Sequence, residues 1–326
     1  MRTNAGSAAG LNYRRVSILV AAALLAFAAC AVGAPSAPVS TGVTSATNPP
    51  VSLGASSAAD ADVDGRIVFA SERDGDAEIY VLGVEAGAAQ LTDNAGEDGQ
   101  PSVSADGTRI AFTSDRNGTF QLYVMNLDGS GVQRLSDGTG NDFFPAWSPD
   151  GSQLAFASDR AGNPDIYVMA DDGADVTRLT TDPNPDLAPA WSPDGSRIAF
   201  DRDFAGTNFE LLVMNADGTG ESQLTDDPGS DQSPAWSPDG TRIAFFSDRA
   251  GNFEIYVMQA DGTAAMAISH DPADDVEPAW SPDGRQLAFV STRDGDEEVY
   301  VVNVDGTGAR RLTDDPADDG GPAWTT

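Results

Sequence analysis

From about residue 64 onward, apolar residues come in short runs that end at turn residues. In the stretch that begins at Pro234, PAWSP is followed by an Asp-Gly turn, TRIAFFS by the loop DRAGN, and FEIYVMQ by a second Asp-Gly turn. A fourth, shorter apolar stretch around Ala267-Ile268 then leads into the loop HDPADDVE. Helices are disfavoured because a Gly or Pro interrupts every run. The pattern therefore predicts four short β-strands separated by turns.

This four-stranded unit repeats along the chain. The proline that opens PAWSPDG or its equivalent recurs at spacings of 44 or 45 residues, at Pro101, Pro145, Pro189, Pro234, Pro278 and Pro322. Four strands in a unit of this length predict a β-propeller blade. The periodic region starts with VDGRIVFASERDGDAEIYV, which lacks the opening strand of a unit, and it ends with PAWTT, which is that strand. We predict an all-β fold over residues 63–326, a six-bladed β-propeller with four-stranded blades, closed by the C-terminal strand completing the first blade.

The N-terminal part has a different composition. Arg2, Arg14 and Arg15 precede an apolar run over residues 16–29, which is typical of a secretory signal. The run ends FAAC, so Cys30 resembles the lipidated cysteine of a bacterial lipobox. The alternatives are plain signal cleavage and a twin-arginine signal, which the Arg14-Arg15 pair resembles. We predict a lipoprotein signal peptide over residues 1–30 and a flexible tether rich in Ala, Ser, Pro and Thr over residues 31–62. The protein should then be exported, periplasmic or at the cell surface, and anchored to a membrane through Cys30.

Charge and rare residues limit the function further. The chain has 51 acidic and 18 basic residues, for a formal net charge of −33. Such a surface repels nucleic acid and anionic lipid, and it suits a divalent cation or a basic partner. A single histidine argues against histidine-based catalysis and against a multi-histidine metal site, and a single cysteine excludes an internal disulfide. We expect a monomer whose only membrane contact is the lipid anchor.

The units PAWSPDGSRIAF and SDRAGNFEIYVMQADG resemble the propeller repeats of the TolB family. The resemblance covers residues 64–326 and recurs six times. It implies a propeller that binds a protein or peptide partner in the cell envelope, and it also implies a calcium ion in the channel. The TolB pattern has an α/β domain before the propeller, whereas a signal and a tether occupy that place here. Some six-bladed propellers are calcium-dependent lactonases or esterases, and TolB-like propellers occur among pectin-fragment lyases, so such an enzyme is the alternative function. A purely structural envelope protein is the third.

Six aspartates stand three residues before the anchor prolines: Asp98, Asp142, Asp186, Asp231, Asp275 and Asp319. The first strand of a blade is innermost, so these carboxylates should surround the mouth of the channel, where Ca²⁺ would accept their oxygens. The alternative is that each aspartate only shapes its own loop in an Asx-turn. A second expectation concerns the arginines of the DR loops. We predict that Arg73, Arg116, Arg160, Arg249 and Arg293 pair with acids at the start of the third strand, namely Glu78, Asp165, Glu254 and Glu298.

The residues that vary just before the anchor prolines are candidates for partner contact. We predict a partner-binding surface formed by Phe143, Phe144, Leu187, Gln232, Val276 and Glu277. Apolar groups beside an acidic ring would suit a peptide. The alternative is that they pack against the adjacent loop. The sequence thus favours an exported, non-enzymatic module that binds a partner on its acidic loop face.

Overall fold

The computed structural model describes residues 65–83, 87–204, 206 and 208–325. The predicted signal peptide over residues 1–30, the lipidation site Cys30 and the tether over residues 31–62 lie outside this part of the chain. None of the described residues belongs to a helix long and apolar enough to cross a membrane.

The described residues form 24 β-strands. The first twelve are β1 (Ile67–Ser71), β2 (Glu78–Gly83), β3 (Gly87–Gln90), β4 (Asp98–Val103), β5 (Arg109–Ser114), β6 (Gln121–Asn126), β7 (Gln133–Arg134), β8 (Asp142–Trp147), β9 (Gln153–Ser158), β10 (Asp165–Ala170), β11 (Thr177–Arg178) and β12 (Asp186–Trp191). The second twelve are β13 (Arg197–Phe204), β14 (Asn208–Asn215), β15 (Ser222–Gln223), β16 (Asp231–Trp236), β17 (Arg242–Ser247), β18 (Glu254–Gln259), β19 (Met266–Ala267), β20 (Asp275–Trp280), β21 (Gln286–Ser291), β22 (Glu298–Asn303), β23 (Arg310–Arg311) and β24 (Asp319–Trp324).

These strands make six antiparallel sheets of four strands each. Five sheets use four consecutive strands, as in β8-β9-β10-β11, and the sixth has the order β24-β1-β2-β3. We number the sheets in chain order as blades 1 to 6, from the sheet of β1, which we call the closing blade, to the sheet of β20–β23; blade 3 is thus β8–β11 and blade 4 is β12–β15. The first strands of successive sheets contact one another in sequence, from β4 through β8, β12, β16 and β20 to β24, which contacts β4 again. The sheets are therefore the blades of a closed ring, and the predicted six-bladed β-propeller is confirmed.

Closure of the ring depends on pairing between the two ends of the propeller. Strand β24 pairs with β1, with Trp324 opposite Ile67 and Asp319 opposite Ser71. Beyond the strand, the Thr325 N–H donates to the Arg66 carbonyl at 2.8 Å. The C-terminal strand is thus the innermost strand of the blade that β1 begins, and no inner edge is left unpaired in that blade.

Large side chains fill the space between neighbouring blades. Trp147 on β8 packs with Leu122 and Val124 of the preceding blade and with Phe156 of its own. The indole N–H of Trp280 donates to the Ala235 carbonyl of the preceding blade at 3.0 Å, and Trp324 makes the same bond to Ala279. A bulky residue recurring once per blade is therefore inter-blade core, because each blade can bury its faces only against its neighbours.

Each innermost strand carries an irregularity just before its anchor proline. The pairing of β8 with β9 shifts register between Phe143 and Ala146, which marks a β-bulge. The residue before the proline has a positive φ in all six blades, at Gln100, Phe144, Ala188, Ser233, Glu277 and Gly321. Only the last is glycine, so five non-glycine residues hold a conformation that costs roughly 1 kcal/mol or more each. The surrounding inter-blade packing must hold these bends in place.

Removal of residues 322–326 should destabilise the propeller far more than its size suggests. The truncation exposes the inner edge of β1 and removes the Trp324 side chain, which is 8 % exposed and packs with Ile67 and Phe69. We expect a loss of several kcal/mol, because deletion of a buried tryptophan alone costs about 3–5 kcal/mol. Urea unfolding checks this, with deletion of five residues from the predicted tether as the control. Equal stability of the two truncated proteins would contradict the closed ring.

Candidate functional site

The two faces of the propeller differ in the loops that they carry. The Asp-Gly turns, such as Asp150-Gly151, join first to second strands on one face, which we call the turn face. The other face carries the loops between second and third strands and the connections to the next blade. We call it the channel-loop face. The six predicted ring aspartates begin the innermost strands on this face.

All six ring aspartates are fully buried, at 0 % exposure, and each carboxylate meets an arginine of its own blade. The shortest nitrogen–oxygen distance in each pair is 2.6–3.0 Å, for Arg116–Asp98, Arg160–Asp142, Arg202–Asp186, Arg249–Asp231, Arg293–Asp275 and Arg73–Asp319. In blade 3, one nitrogen of Arg160 donates to both oxygens of Asp142, at 2.9 and 3.0 Å. A buried carboxylate requires such a partner, because an unpaired charge away from water is very costly.

In five of the six pairs, a serine hydroxyl and a tyrosine ring hold the arginine from two sides. In blade 3, the Arg160 Nε donates to the Ser158 hydroxyl at 2.8 Å, and its guanidinium lies 5.1 Å from the centre of the Tyr167 ring. Serines 71, 114, 247 and 291 do the same for Arg73, Arg116, Arg249 and Arg293. The recurring tyrosine of the third strand therefore supports the ion pair as well as the core. Burial is the main cause that raises the pKa of Asp142, and the hydrogen bonds from Ser158 and Arg160 oppose it.

In blade 4, the arginine that pairs with the ring aspartate comes from a different position in the blade. Its second strand carries Arg202 where the other blades have the serine, directly opposite Asp186 in the register. The Arg202 Nε donates to Asp186 at 2.6 Å, and the same guanidinium also reaches Glu221 at 2.6 Å. The ion pair is conserved within the repeat although the position of its cation is not.

These contacts correct one prediction. The arginines of the DR loops pair with the ring aspartates and not with the third-strand acids. Asp165 instead pairs with Arg178 at 2.6 Å, and Glu254 and Glu298 accept hydrogen bonds from Ser269 and Thr313. The guanidinium reaches the ring aspartate because this aspartate lies directly opposite the serine to which the arginine donates a hydrogen bond.

The ring aspartates do not fit direct coordination of a calcium ion. Ca²⁺ takes six to eight oxygen ligands, but these carboxylates are buried at separate strands and already bound to guanidinium groups. Among the described residues, no group of three or more His, Cys, Asp or Glu side chains is arranged to hold a metal ion. Calcium binding at the six aspartates stays a prediction from the sequence and the resemblance.

The predicted partner-binding residues divide into two sets. Phe143, Leu187 and Val276 are buried, at 5 % exposure or less, so they pack within the blades. Phe144, Gln232 and Glu277 are partly exposed. Strand alternation and the bulge explain the exposure of Phe144 and Glu277, which stand directly before their prolines. Gln232 stands at the position of Phe143 and is partly exposed all the same. A partner could contact only the second set directly.

A group of carboxylates lies where blade 6 meets the closing blade, and only one of its members, Glu277, was predicted from the sequence as a site residue. We call Glu72, Glu277, Glu297 and Asp318 the seam cluster. The Asp318 Oδ1 accepts from the Glu297 N–H at 2.9 Å, and the Asp318 carbonyl accepts from the Glu72 N–H at 3.2 Å. The Glu277 carboxylate accepts from the Gly321 N–H at 2.7 Å. Backbone bonds therefore hold these acids together.

Glu297 is the most unusual member of the seam cluster. It is 7 % exposed, and within the described part of the chain its carboxylate has no hydrogen-bond donor. Burial, followed by the charges of Glu277, Asp318 and Glu72, raises the pKa of Glu297 to about 9. Burial and the charge of Asp318 also raise the pKa of Glu72. Four carboxyl groups therefore lie close together at this junction of two blades.

A signal for Glu297 was present in the repeat. Its carbonyl accepts the N–H of the ring aspartate Asp319, as Ala77, Phe120, Pro164 and Phe253 do in their blades. Those four residues are apolar, so Glu297 is an acid at a position that elsewhere carries no charge. A comparison of the blades at this position could have found it.

A second buried acid, Asp201, is also a departure from the repeat. It is 2 % exposed and occupies the place of Ala157 and Val290 in other blades. Burial raises its pKa to about 7, although the Ser233 N–H donates to it at 2.8 Å. That bond spans two blades and holds the positive-φ residue Ser233 in place.

The fold and the loop face define a six-bladed β-propeller of repeating blade sequence. Residues 54–138, 117–186 and 183–276 match the TolB beta propeller domain, so the chain belongs to this family. No curated protein matches the sequence.

Solved structures share the fold at low sequence identity. TolB from Acinetobacter baumannii has a TM-score of 0.71 at 20 % identity, covering 81 % of this chain and 67 % of that one. The putative TolB from Agrobacterium tumefaciens has a TM-score of 0.67 at 23 % identity, covering 79 % and 92 %. An oligogalacturonate lyase from Vibrio parahaemolyticus has a TM-score of 0.54 at 19 % identity, covering 76 % and 74 %. At these identities the likeness shows the fold alone.

Replacement of Arg160 by Met should be strongly destabilising, because it leaves the Asp142 carboxylate buried without its cation. The expected loss is about 3–5 kcal/mol. The double variant Asp142→Asn with Arg160→Met should recover a large part of it, since no buried charge then remains unpaired. Chemical denaturation of the four proteins of this cycle gives the coupling. Arg285→Met is the control, because the Arg285 side chain is 86 % exposed. A cost for Arg160→Met no larger than for this control would contradict the pairing.

Replacement of Glu297 by Gln should stabilise the protein at neutral and alkaline pH. The folded-state pKa of about 9 lies above the ordinary value of 4.5, so between these values the native state binds more protons than the unfolded state. Stability from this group is therefore present below pH 4.5 and is lost as the pH rises towards 9. At pH 8 the variant should gain roughly 1–3 kcal/mol, with little gain at acid pH. Urea unfolding against pH measures this, with the exposed Asp226→Asn as control, and a gain independent of pH would refute it.

Proposed function

We propose that the protein is an exported, non-enzymatic binding module of the cell envelope that holds a protein or peptide partner on its channel-loop face. The predicted lipid anchor on Cys30 and the tether over residues 31–62 would keep the propeller near a membrane while leaving this face accessible. The partner would be bound by a monomer. This extends the family assignment, since proteins that share a propeller fold differ in what their loops recognise.

The seam cluster is the observation that carries the proposal. Glu297 is buried among three other acids, and burial and those charges disfavour its ionised form. A cationic group from a partner would favour that form and would supply the donor that the carboxylate lacks among the described residues. Maintaining such a group in the free protein costs stability, which is typical of a binding site and not of a structural contact.

The charge of the whole chain supports a basic partner. The net charge of −33 would attract a basic segment and speed its association, and it would repel nucleic acid. Phe144 adds a partly exposed aromatic ring beside the channel, against which an apolar partner residue could pack. The partner segment that fits this face is therefore basic and carries at least one apolar side chain.

The alternative is a calcium-dependent propeller enzyme of the lactonase, esterase or lyase type. The fold shared with the oligogalacturonate lyase motivates it. The composition argues against it, because His270 is the single histidine available as a general base or a nitrogen ligand. The ring aspartates are also bound to arginines, which leaves their oxygens poorly placed for a catalytic metal.

Site-specific photocrosslinking tests the proposed face. A photoreactive residue at position 144 should capture one envelope component in the cells that make the protein. The same residue at position 176 should not, because Val176 is 43 % exposed but lies on the turn face. Adding Glu297→Gln to the position-144 protein should reduce the captured product several-fold, whereas Asp226→Asn should not. Equal capture from both positions, or none from position 144, would refute the channel-loop face.

The enzyme and calcium predictions can be tested on the same protein. We expect no turnover of lactone, ester or oligogalacturonate substrates with or without about 1 mM Ca²⁺, a concentration that saturates many extracellular calcium sites. We also expect that concentration to leave the thermal unfolding midpoint unchanged. Calcium-dependent turnover would overturn the binding-module proposal. A higher unfolding midpoint in Ca²⁺ without turnover would show that the protein binds calcium, and calcium would then become part of the proposed binding site.

A further inference from the structure

On the turn face, the residue that opens the second strand of one blade covers the tryptophan of the next. Three such pairs are arginine on tryptophan, with the guanidinium 4.4–4.7 Å from the ring centre: Arg109 on Trp147, Arg197 on Trp236 and Arg242 on Trp280. The distance is that of a cation–π contact. In three of the five tryptophan positions, a guanidinium therefore lies on the tryptophan ring, in the groove between two neighbouring blades.

Hydrogen bonds also hold the edge of the guanidinium group in the groove. In the first pair, one nitrogen of Arg109 donates to the Gly151 carbonyl at 3.1 Å, within the Asp-Gly turn of the next blade. Another donates to Asp171 at 2.9 Å. The ring face, the turn carbonyl and a nearby acid together match the flat, five-donor shape of a guanidinium.

Two of the five tryptophan grooves lack the arginine, and one of these two is open. Gln153 opens the second strand of blade 3, where its neighbours in sequence have arginine, and its residue is exposed. Trp191, which it would cover, is partly exposed, whereas the other four tryptophans are buried at 7–8 % exposure. A cavity of about 400 Å³ lies here, lined by Trp191, Gly195, Asp150, Asp194 and Gln153 among others. We call it the Trp191 groove.

We propose that the Trp191 groove binds the arginine side chain of a peptide, in the place that Arg109, Arg197 and Arg242 occupy in their own grooves. The inference goes beyond the proposed function, because it assigns a second site on the opposite face. The bound guanidinium lies on the Trp191 ring and donates to the Gly195 carbonyl, which is the counterpart of the Gly151 carbonyl.

The acids of the groove favour a cation over a neutral ligand. Hydrogen bonds from Ser192 and Ser196 lower the pKa of Asp194 to about 2, so this carboxylate is charged at physiological pH. Asp150 is held in the same way by Ser148 and Ser152, which lowers its pKa. Both acids would repel the carboxylate of free arginine, so a residue within a chain fits better than the amino acid.

A second groove provides a matched control. Gln286 opens the second strand of blade 6, as Gln153 does in blade 3, and in the repeat Trp324 corresponds to Trp191. There the glutamine amide donates to Asn303 at 3.1 Å, and Trp324 is 8 % exposed, so that groove is closed. The same substitution can therefore be made in an open and in a closed groove.

The test is an NMR titration of the tryptophan indole N–H signals with N-acetyl-arginine methylamide at constant ionic strength. The Trp191 signal, assigned with Trp191→Phe, should shift and saturate at millimolar probe, as expected for one cation–π contact with a few hydrogen bonds. The citrulline analogue has the same shape without the charge and should bind at least 5-fold more weakly. Free arginine should also bind more weakly than the blocked probe.

Two substitutions at the start of second strands test whether the Trp191 groove is the site that binds the probe. Gln153→Arg supplies the missing guanidinium from within the chain, so it should abolish the Trp191 response to the probe. Gln286→Arg makes the same chemical change at the closed groove and should leave that response intact. The proposal is overturned if Gln153→Arg still binds the probe, if citrulline binds as well as arginine, or if Trp191 does not respond.

Discussion

A ring of β-sheets is held together only if its last blade is joined to its first, and the pairing of β24 with β1 makes that junction. Without it, an inner strand edge would be open and the two end blades would expose the faces that the other blades bury against each other. The inter-blade tryptophans and the bends before the prolines require neighbours on both sides. The channel-loop face and the Trp191 groove are both formed between blades, so both depend on this closure.

The buried pair of aspartate and arginine in each blade fixes the position of the innermost strand. In five blades it joins the start of the innermost strand to the loop between the second and third strands, and in blade 4 it joins that start to the second strand. Such a pair adds little net stability, because desolvation of two charges offsets most of their attraction, but loss of one partner is severe. The pair therefore specifies the loop geometry around the channel. It also neutralises six carboxylates that would otherwise make the channel mouth strongly acidic.

The features that suggest function occur where the repeat departs from its own pattern. Glu297 is an acid where other blades have apolar residues, and Gln153 is neutral where neighbouring blades have arginine. The first places a carboxyl group among other acids, and the second removes a cation from an aromatic groove. An external cation would give the first a partner, and at the second it would restore the ordinary contact of the repeat.

The sequence by itself determined the blade number, the strand order and the closure, because these follow from local periodicity and from which strand is missing at each end of the repeat. It also located the six aspartates and the five tryptophans as repeated positions. It could not decide what the aspartates bind, since Asp142 and Arg160 lie 18 residues apart and only the register of β8 with β9 brings them together. Nor could it show that Phe143 is buried while Phe144 is partly exposed, because the bulge that separates them is held by packing between blades. The tertiary structure alone placed Glu297 against acids from three other segments and left Trp191 partly exposed. Those environments are made by residues distant in the chain, and local pattern carries no information about them.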